Sequence, residues 1–174
     1  MTKFPDPAYS ITKLNNTHQR KAFSCGVKLL DDYLRTLAGQ DARKHLSVTY
    51  VLNNNERNKI AGYYTLSASS IELADLPQTL AKKLPQYPFV PATLIGRIAI
   101  DLECQKQGLG EVLLFDALQR AYLTSQTIAS LAVIVDAIDD SAIKFYKKYG
   151  FLSLVSNNSR LYLPMKSMES LFTE

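Results

Sequence analysis

The sequence contains no apolar run near the roughly 20 residues that a membrane-spanning helix needs. Its opening, Met1 to Asn16, is polar with Pro5 and Pro7, where a signal peptide would place a charged and then an apolar segment. A cytoplasmic protein without a membrane partner is therefore expected. Gly and Pro number only 7 each in 174 residues, which excludes collagen-like and Pro/Gly-rich disordered chains, and 47% hydrophobic residues with 21% charged ones describe a folded protein. The 2 cysteines, Cys25 and Cys104, lack CxxC spacing, and the 2 histidines, His18 and His45, have no ligand-type partners near them. Neither a disulfide framework nor a metal site is expected. Repeats, low-complexity tracts and linkers are absent, and the length suits a single domain over 1–174.

What is present begins with charge. Lys plus Arg number 20 against 16 Asp plus Glu, a net +4 that permits a polyanionic partner without demanding one. The surplus is gathered in small groups, Arg20-Lys21, Arg43-Lys44, Lys82-Lys83 and Lys144/Lys147/Lys148, each of which also reads as an ordinary solvated face.

Hydrophobic spacing orders the rest. Leu29, Leu30, Tyr33, Leu34, Leu37 and Ala38 fall on one side of a helix that Ser24 could cap. Ser47 to Leu52 and Ile60 to Ser67 read as a hairpin around Asn53-Asn54-Asn55. Four prolines between 77 and 91 leave room for no more than a short helix near Gln78 to Lys83. Thr93 to Asp101 reads as a buried strand, followed past Gly108 and Gly110 by a helix with Leu113, Leu114, Ala117, Leu118, Ala121 and Tyr122 in register. Ile128 to Val135 reads as a second buried strand, Ser141 to Tyr149 as a helix capped by Asp139 or Asp140, and Phe151 to Val155 with Leu161 to Leu163 as a final strand pair. This is an α/β chain with a mixed sheet.

Between the first buried strand and its helix lies Gln105-Lys106-Gln107-Gly108-Leu109-Gly110. Unpaired N–H groups and the positive end of a helix dipole favour an anion there, and glycine lets the backbone approach a phosphate closely. The loop lacks the GK[ST] of a P-loop and the GxGxxG of a dinucleotide fold.

Q-x-x-G-x-G after a strand, with Ala142-Ile143-Lys144-Phe145-Tyr146-Lys147-Lys148-Tyr149-Gly150-Phe151 further on, resembles the GNAT family of acetyl-CoA-dependent N-acetyltransferases. Phe23-x-Cys25-Gly26, Gly62-Tyr63-Tyr64-Thr65-Leu66-Ser67, Ile95-Gly96-Arg97-Ile98-Ala99-Ile100-Asp101 and Arg160-Leu161-Tyr162-Leu163-Pro164-Met165 extend the resemblance to the GNAT toxins of type II toxin–antitoxin modules. It implies a GNAT fold, a mixed central sheet flanked by helices and splayed at the acetyl-CoA site. It also implies acetylation of the α-amino group of aminoacyl-tRNA, a ribbon-helix-helix antitoxin as partner, and a homodimer.

By the same resemblance, the backbone of Ile98, Ala99 and Ile100 binds pantetheine and the thioester, and Gln105, Lys106, Gln107, Gly108, Leu109 and Gly110 bind the pyrophosphate. Asp139 stands where the family usually has an Asn that contacts the cofactor, and a carboxylate offers no N–H donor. Tyr146 is the candidate acid for the departing thiolate, with Tyr149 second. Arg97, Arg43 and Lys44 are candidate substrate contacts. Arg97 also reads as one half of a sheet-face salt bridge, and Tyr63, Tyr64, Tyr87 and Phe89 are candidate platforms for a terminal base.

No His or Glu stands out as general base; Asp101, Glu103 and water remain open. An α-amino group with pKa near 7.7–8.0 is about a fifth to a third neutral at pH 7.4, whereas a lysine is so about 0.1% of the time. A site without a strong base suits the former. Two other readings stand beside this one: a GNAT enzyme acting on a protein or small-molecule amine, and a mainly non-catalytic co-repressor with its antitoxin.

Overall fold

The computed structural model describes residues 7–173, so Pro5 in the polar opening lies outside the described residues. Its elements are β1 (Tyr9–Lys13), α1 (Lys28–Asp32), a π turn (Tyr33–Leu37), α2 (Ala38–Arg43), β2 (Val48–Asn54), β3 (Lys59–Glu72), α3 (Gln78–Ala81) and β4 (Phe89–Ile100). There follow α4 (Leu109–Ser125), β5 (Ala132–Asp136), α5 (Asp140–Lys148), β6 (Leu152–Ser153), β7 (Arg160–Pro164) and α6 (Met165–Phe172). The strands are ordered β1-β2-β3-β4-β5-β7-β6 in a 7-stranded sheet. β4 pairs with β5 in parallel, while β1/β2, β2/β3, β5/β7 and β6/β7 are antiparallel. The expected mixed α/β architecture is present. Two compact units share the chain, Met1–Ser67 with Gly96–Ala117 and Ala68–Ile95 with Leu118–Glu174.

In the first unit the expected hairpin is present, running from Val48↔Leu66 to Asn54↔Lys59 with a bulge between Leu52 and Asn53; the turn differs from the expected one, because Asn53 and Asn54 are paired within β2 and the chain turns over 55–58. Its core joins Phe23, Tyr33, Leu34, Ala38, Val51, Ile60, Tyr63 and Ala99. A Cβ on Gly62 would lie 2.7 Å from Ile100 Cδ1, 2.8 Å from the Ala99 carbonyl oxygen and 3.0 Å from Leu113 Cδ1. Glycine is what lets the backbone come this near.

The first helix departs from the expected face. Ala38 donates its N–H to the Tyr33 carbonyl, five residues back, and this wider turn shifts the register. Tyr33, Leu34 and Ala38 are buried, whereas Leu29 and Leu37 are 81% and 47% exposed. Ser24 does not cap it. Asp31 reaches back instead, accepting the Cys25 N–H at 2.8 Å and the Ser24 hydroxyl at 3.3 Å.

In the second unit β4 and β5 align from Ala92↔Ala132 to Ile95↔Val135, and Ile71, Leu76, Val90, Ala92, Ala132, Ile134, Leu154 and Tyr162 form the core. β5 starts at Ala132 and not at Ile128, which is 72% exposed. The N–H groups of Thr127 and Ile128 both turn back to the Thr124 carbonyl and finish α4, which takes those residues out of the strand. Within α4 the six apolar residues singled out by spacing are all buried. β1 and α6 have no counterpart in the sequence reading; α6 buries Met165 and Met168.

Candidate active site

The parallel register ends at Ile95↔Val135, whereas β4 itself continues to Ile100. The strand then breaks at Asp101, and the break is held by side chains. Asp101 accepts the Glu103 N–H and the Ser24 N–H, each at 3.0 Å, while its own N–H donates to the Ala61 carbonyl at 2.8 Å. With each carboxylate oxygen accepting a backbone N–H, Asp101 braces the break in the strand. Gln105 adds a second brace, its side-chain amide donating at 3.0 Å to the Cys25 carbonyl and at 3.0 Å to the Ile100 carbonyl.

These braces fix the start of the glycine loop. Lys106 and Gly108 take left-handed φ values of 63° and 76°, and a Cβ at Gly108 would meet nothing within 4 Å. Gln105, Lys106, Gln107 and Gly108 are exposed, Gly110 is half-buried, and Leu109 anchors the turn in the core. α4 begins at once, so its first N–H groups, which have no acceptor within the helix, emerge at the loop. Backbone donors at a helix start, with the dipole's positive end and a lysine in the loop, make an arrangement that can hold an anion.

Tyr146 sits in the second unit on α5, whose start is capped by Asp139 accepting the Ala142 N–H at 2.8 Å. The end of α5 is a closed motif. Gly150, at φ 91°, donates its N–H to the Lys147 carbonyl at 3.1 Å, and Phe151 donates to the Tyr146 carbonyl at 3.3 Å. The chain thereby folds back and sets the Phe151 ring 5.5 Å from that of Tyr146, with Phe145 at 5.3 Å on another side. Tyr146 is 7% exposed, and its hydroxyl has no hydrogen-bond partner among the described residues. Burial, helped by the Asp136 carboxylate, pushes the phenol up to about 12, so it keeps its proton far above neutral pH. Asp136 is itself gripped by Arg160 at 2.7 and 3.0 Å.

Residues 91–172 match the model of the acetyltransferase (GNAT) domain. Over 159 residues the chain is 31% identical to the tRNA-acetylating toxin of Mycobacterium tuberculosis, spanning 91% of this chain and 93% of that one. The chain belongs to the GNAT acetyltransferases. Among solved structures it is similar to AtaT complexed with acetyl-methionyl-tRNAfMet, with TM-score 0.88 and 34% identity over 95% of this chain and 99% of that one. It is also similar to a mutant AtaT toxin bound to the C-terminus of the antitoxin AtaR and acetyl-CoA, with TM-score 0.80 and 29% identity over 96% and 99%.

In this GNAT chain Ile98 and Ile100 are half-buried and Ala99 is buried, on the strand that outlasts its β5 register. Asp139 is exposed and serves as helix cap. Arg97 makes no ion pair among the described residues; its guanidinium carbon lies 3.5 Å from the centre of the Tyr33 ring, a stacked cation–π contact. Tyr33 is steadied in turn by donating to Asp41 at 2.8 Å.

Tyr63 and Tyr64 cannot stack on a base, because both are fully buried. Their hydroxyls are spent inside the unit, on the Leu30 carbonyl at 2.7 Å and on Asp116 at 2.5 Å. Tyr87 and Phe89 are 64% and 56% exposed and line a groove of about 630 Å³ along the proline-rich insert. Tyr149 packs edge-on against Phe145 at 5.2 Å. Among the described residues no group of His, Cys, Asp and Glu could hold a metal ion, and no helix is long and apolar enough to cross a membrane. Sequence reasoning missed the bracing by Gln105 and Asp101; a polar side chain directly after a strand end, ahead of a glycine loop, was its one visible signal.

Proposed function

We propose that this GNAT acetyltransferase is the toxin of a toxin–antitoxin pair, transferring the acetyl group of acetyl-CoA to the α-amino group of aminoacyl-tRNA and so blocking translation. What carries this reading is the likeness, over more than nine tenths of the chain, to a tRNA-acetylating toxin and to AtaT in complex with an acetylated aminoacyl-tRNA. Once acetylated, the nitrogen lone pair is delocalised into an amide and cannot attack in elongation.

Bound acetyl-CoA supplies a thioester carbonyl carbon that an amine attacks and a thiol that leaves. The residues present fit it: the Gln105–Gly110 loop offers backbone N–H donors with no side chain at Gly108 in the way, and Lys106 adds a point charge for phosphate. The Ile98–Ile100 backbone hydrogen-bonds the pantetheine arm and the thioester oxygen, where an N–H placed in advance stabilises the charge that develops. Tyr146 gives its proton to the sulfur as the carbon–sulfur bond breaks and regains one from the nitrogen, which loses a proton as the amide forms. The net proton movement is from amine to thiol. A phenol near 12 is never empty between turnovers. An acceptor nitrogen that is substantially neutral at physiological pH suits this reading, since it needs no strong base to release its lone pair.

The partner in this reading is a ribbon-helix-helix antitoxin, the functional form a homodimer, and the location the cytoplasm, where acetyl-CoA and charged tRNA coexist. The test is transfer of labelled acetyl from acetyl-CoA to a full set of charged tRNAs, with uncharged tRNA, free amines and proteins as comparison. Label confined to charged tRNA is the expected result; label on proteins or amines with none on tRNA would overturn the substrate class while leaving the fold and cofactor reading intact.

A further inference from the structure

Arg20, in the segment before the first helix, and Arg43, at the end of α2, are distant in sequence and come from different elements. Both lie over Gly39. A Cβ built on that glycine would stand 3.2 Å from Arg20 Nη1, 3.8 Å from Arg20 Nη2 and 3.4 Å from Arg43 Nη1. Two guanidinium groups thus share the small space that the missing side chain leaves on the helix.

Among the described residues no carboxylate compensates them. Neither arginine has an ion pair among the described residues, and Arg20 has a single long contact, to the Asn15 carbonyl at 3.5 Å. The acids of the adjoining helix are committed elsewhere. Asp31 holds the Cys25 N–H and the Ser24 hydroxyl, Asp32 pairs with Lys28, and Asp41 accepts from the Tyr33 hydroxyl. Arg43 is exposed, Arg20 is half-buried, and the exposed Lys21 and Lys44 adjoin them in sequence.

Two planar forks over one point, uncompensated and open to solvent, suit a tetrahedral oxyanion with several acceptor oxygens. Hydrogen bonds of about 2.8 Å from each fork to different oxygens of one phosphate would bridge such a pair. We propose that Arg20 and Arg43, converging over Gly39, grip one backbone phosphodiester of the charged tRNA. This rests on the reading of aminoacyl-tRNA as substrate and adds a named phosphate grip to it. Binding of this kind positions the acceptor and carries no sequence information. Residue type at position 39 is therefore part of the site, since a carboxylate there would stand between the forks and compensate them, whereas a methyl group would only nudge their flexible ends.

The test measures binding of uncharged tRNA by the full chain as a function of salt, and separately the KM for charged tRNA. The variants are Arg20→Ala, Arg43→Ala, the double variant, Gly39→Asp and Gly39→Ala. Each arginine variant is expected to weaken tRNA binding about tenfold and to lower the salt slope by about 0.7–0.9 for the one phosphate it ceases to neutralise. Because the phosphate is shared, the double variant is expected to bind little more weakly than either single one. Gly39→Asp, which keeps both arginines but gives them an internal carboxylate, is expected to weaken binding like the double variant, and Gly39→Ala far less. KM for acetyl-CoA stays as in the wild type. Unchanged tRNA affinity and salt slope in the arginine variants would overturn the proposal even if charged tRNA is acetylated, and so would full additivity of the two effects, or a wild type that does not bind tRNA. Salt-dependent tRNA binding that needs both arginines, in a protein that never acetylates charged tRNA, would retain the grip and overturn the enzymatic reading.

Discussion

Phe151 is tied to Tyr146 twice, by its N–H to the Tyr146 carbonyl at 3.3 Å and by ring packing at 5.5 Å. The left-handed Gly150 makes both contacts possible. The spacing F-Y-x-x-x-G-F thus fixes a phenol in place: the helix ends where glycine permits, and the next aromatic returns to pack against the tyrosine ring.

Disturbing that device should slow chemistry more than binding. Gly150→Ala forces a side chain into a left-handed turn at a cost of about 1 kcal/mol, and Phe151→Leu loosens the packing around Tyr146. Both are expected to lower kcat while the Kd for acetyl-CoA, read by calorimetry, stays within about twofold. A rise in Kd with kcat unchanged would show that the motif serves the cofactor and not the phenol.

Titration gives a second check. The Tyr146 phenol titrates near 10 in an unfolded chain and is raised to about 12 in the fold by burial first and Asp136 second. The folded state holds the proton more tightly, so this contribution to stability is whole below pH 10 and is lost as the pH rises towards 12. Between those limits wild-type stability is expected to fall more steeply than that of Tyr146→Phe by about 1.4 kcal/mol per pH unit. Urea unfolding across that window measures it; parallel curves would contradict the placement of the buried phenol.

The loop motif and the F-Y-x-x-x-G-F motif were legible in the sequence because each is local: a strand end, a glycine and a helix start are consecutive residues. The helix of α4 was legible too, since six apolar positions at regular spacing outweigh any one contact. What was not legible depends on long-range pairing. The π turn that turns Leu29 and Leu37 outward, the Gln105 amide directed at Cys25 and Ile100, and the meeting of Arg20 with Arg43 all join residues whose proximity is set by tertiary packing. The burial of Tyr63 and Tyr64 shows the same limit, because an alternating strand does not reveal how thickly each of its faces is covered.

Gln105 gives a third prediction. Its amide N–H groups hold the Cys25 and Ile100 carbonyls at the start of the glycine loop, so Gln105→Glu sets a carboxylate against them and removes the donors. KM for acetyl-CoA is expected to rise about tenfold, with kcat at saturation little changed. An unaltered KM would mean that the loop holds its shape without the brace.

Gly62 offers a test of packing alone. A Cβ there would stand under 3 Å from the Ala99 oxygen and Ile100 Cδ1. Gly62→Ala is therefore expected to destabilise by about 1–3 kcal/mol and to lower Tm by several degrees in a calorimetric scan. An unchanged Tm would show that the sheet gives way more easily than its burial suggests.

In the proposed mechanism Tyr146 supplies the proton for an acetyl transfer to charged tRNA. A single-turnover measurement with labelled acetyl-CoA and charged tRNA, comparing wild type with Tyr146→Phe at saturating concentrations of both substrates, tests it most directly. Transfer to charged tRNA by the wild type, with a loss of about 100-fold or more in the variant and unchanged acetyl-CoA affinity, is the predicted result. Equal transfer rates in the two proteins would contradict it.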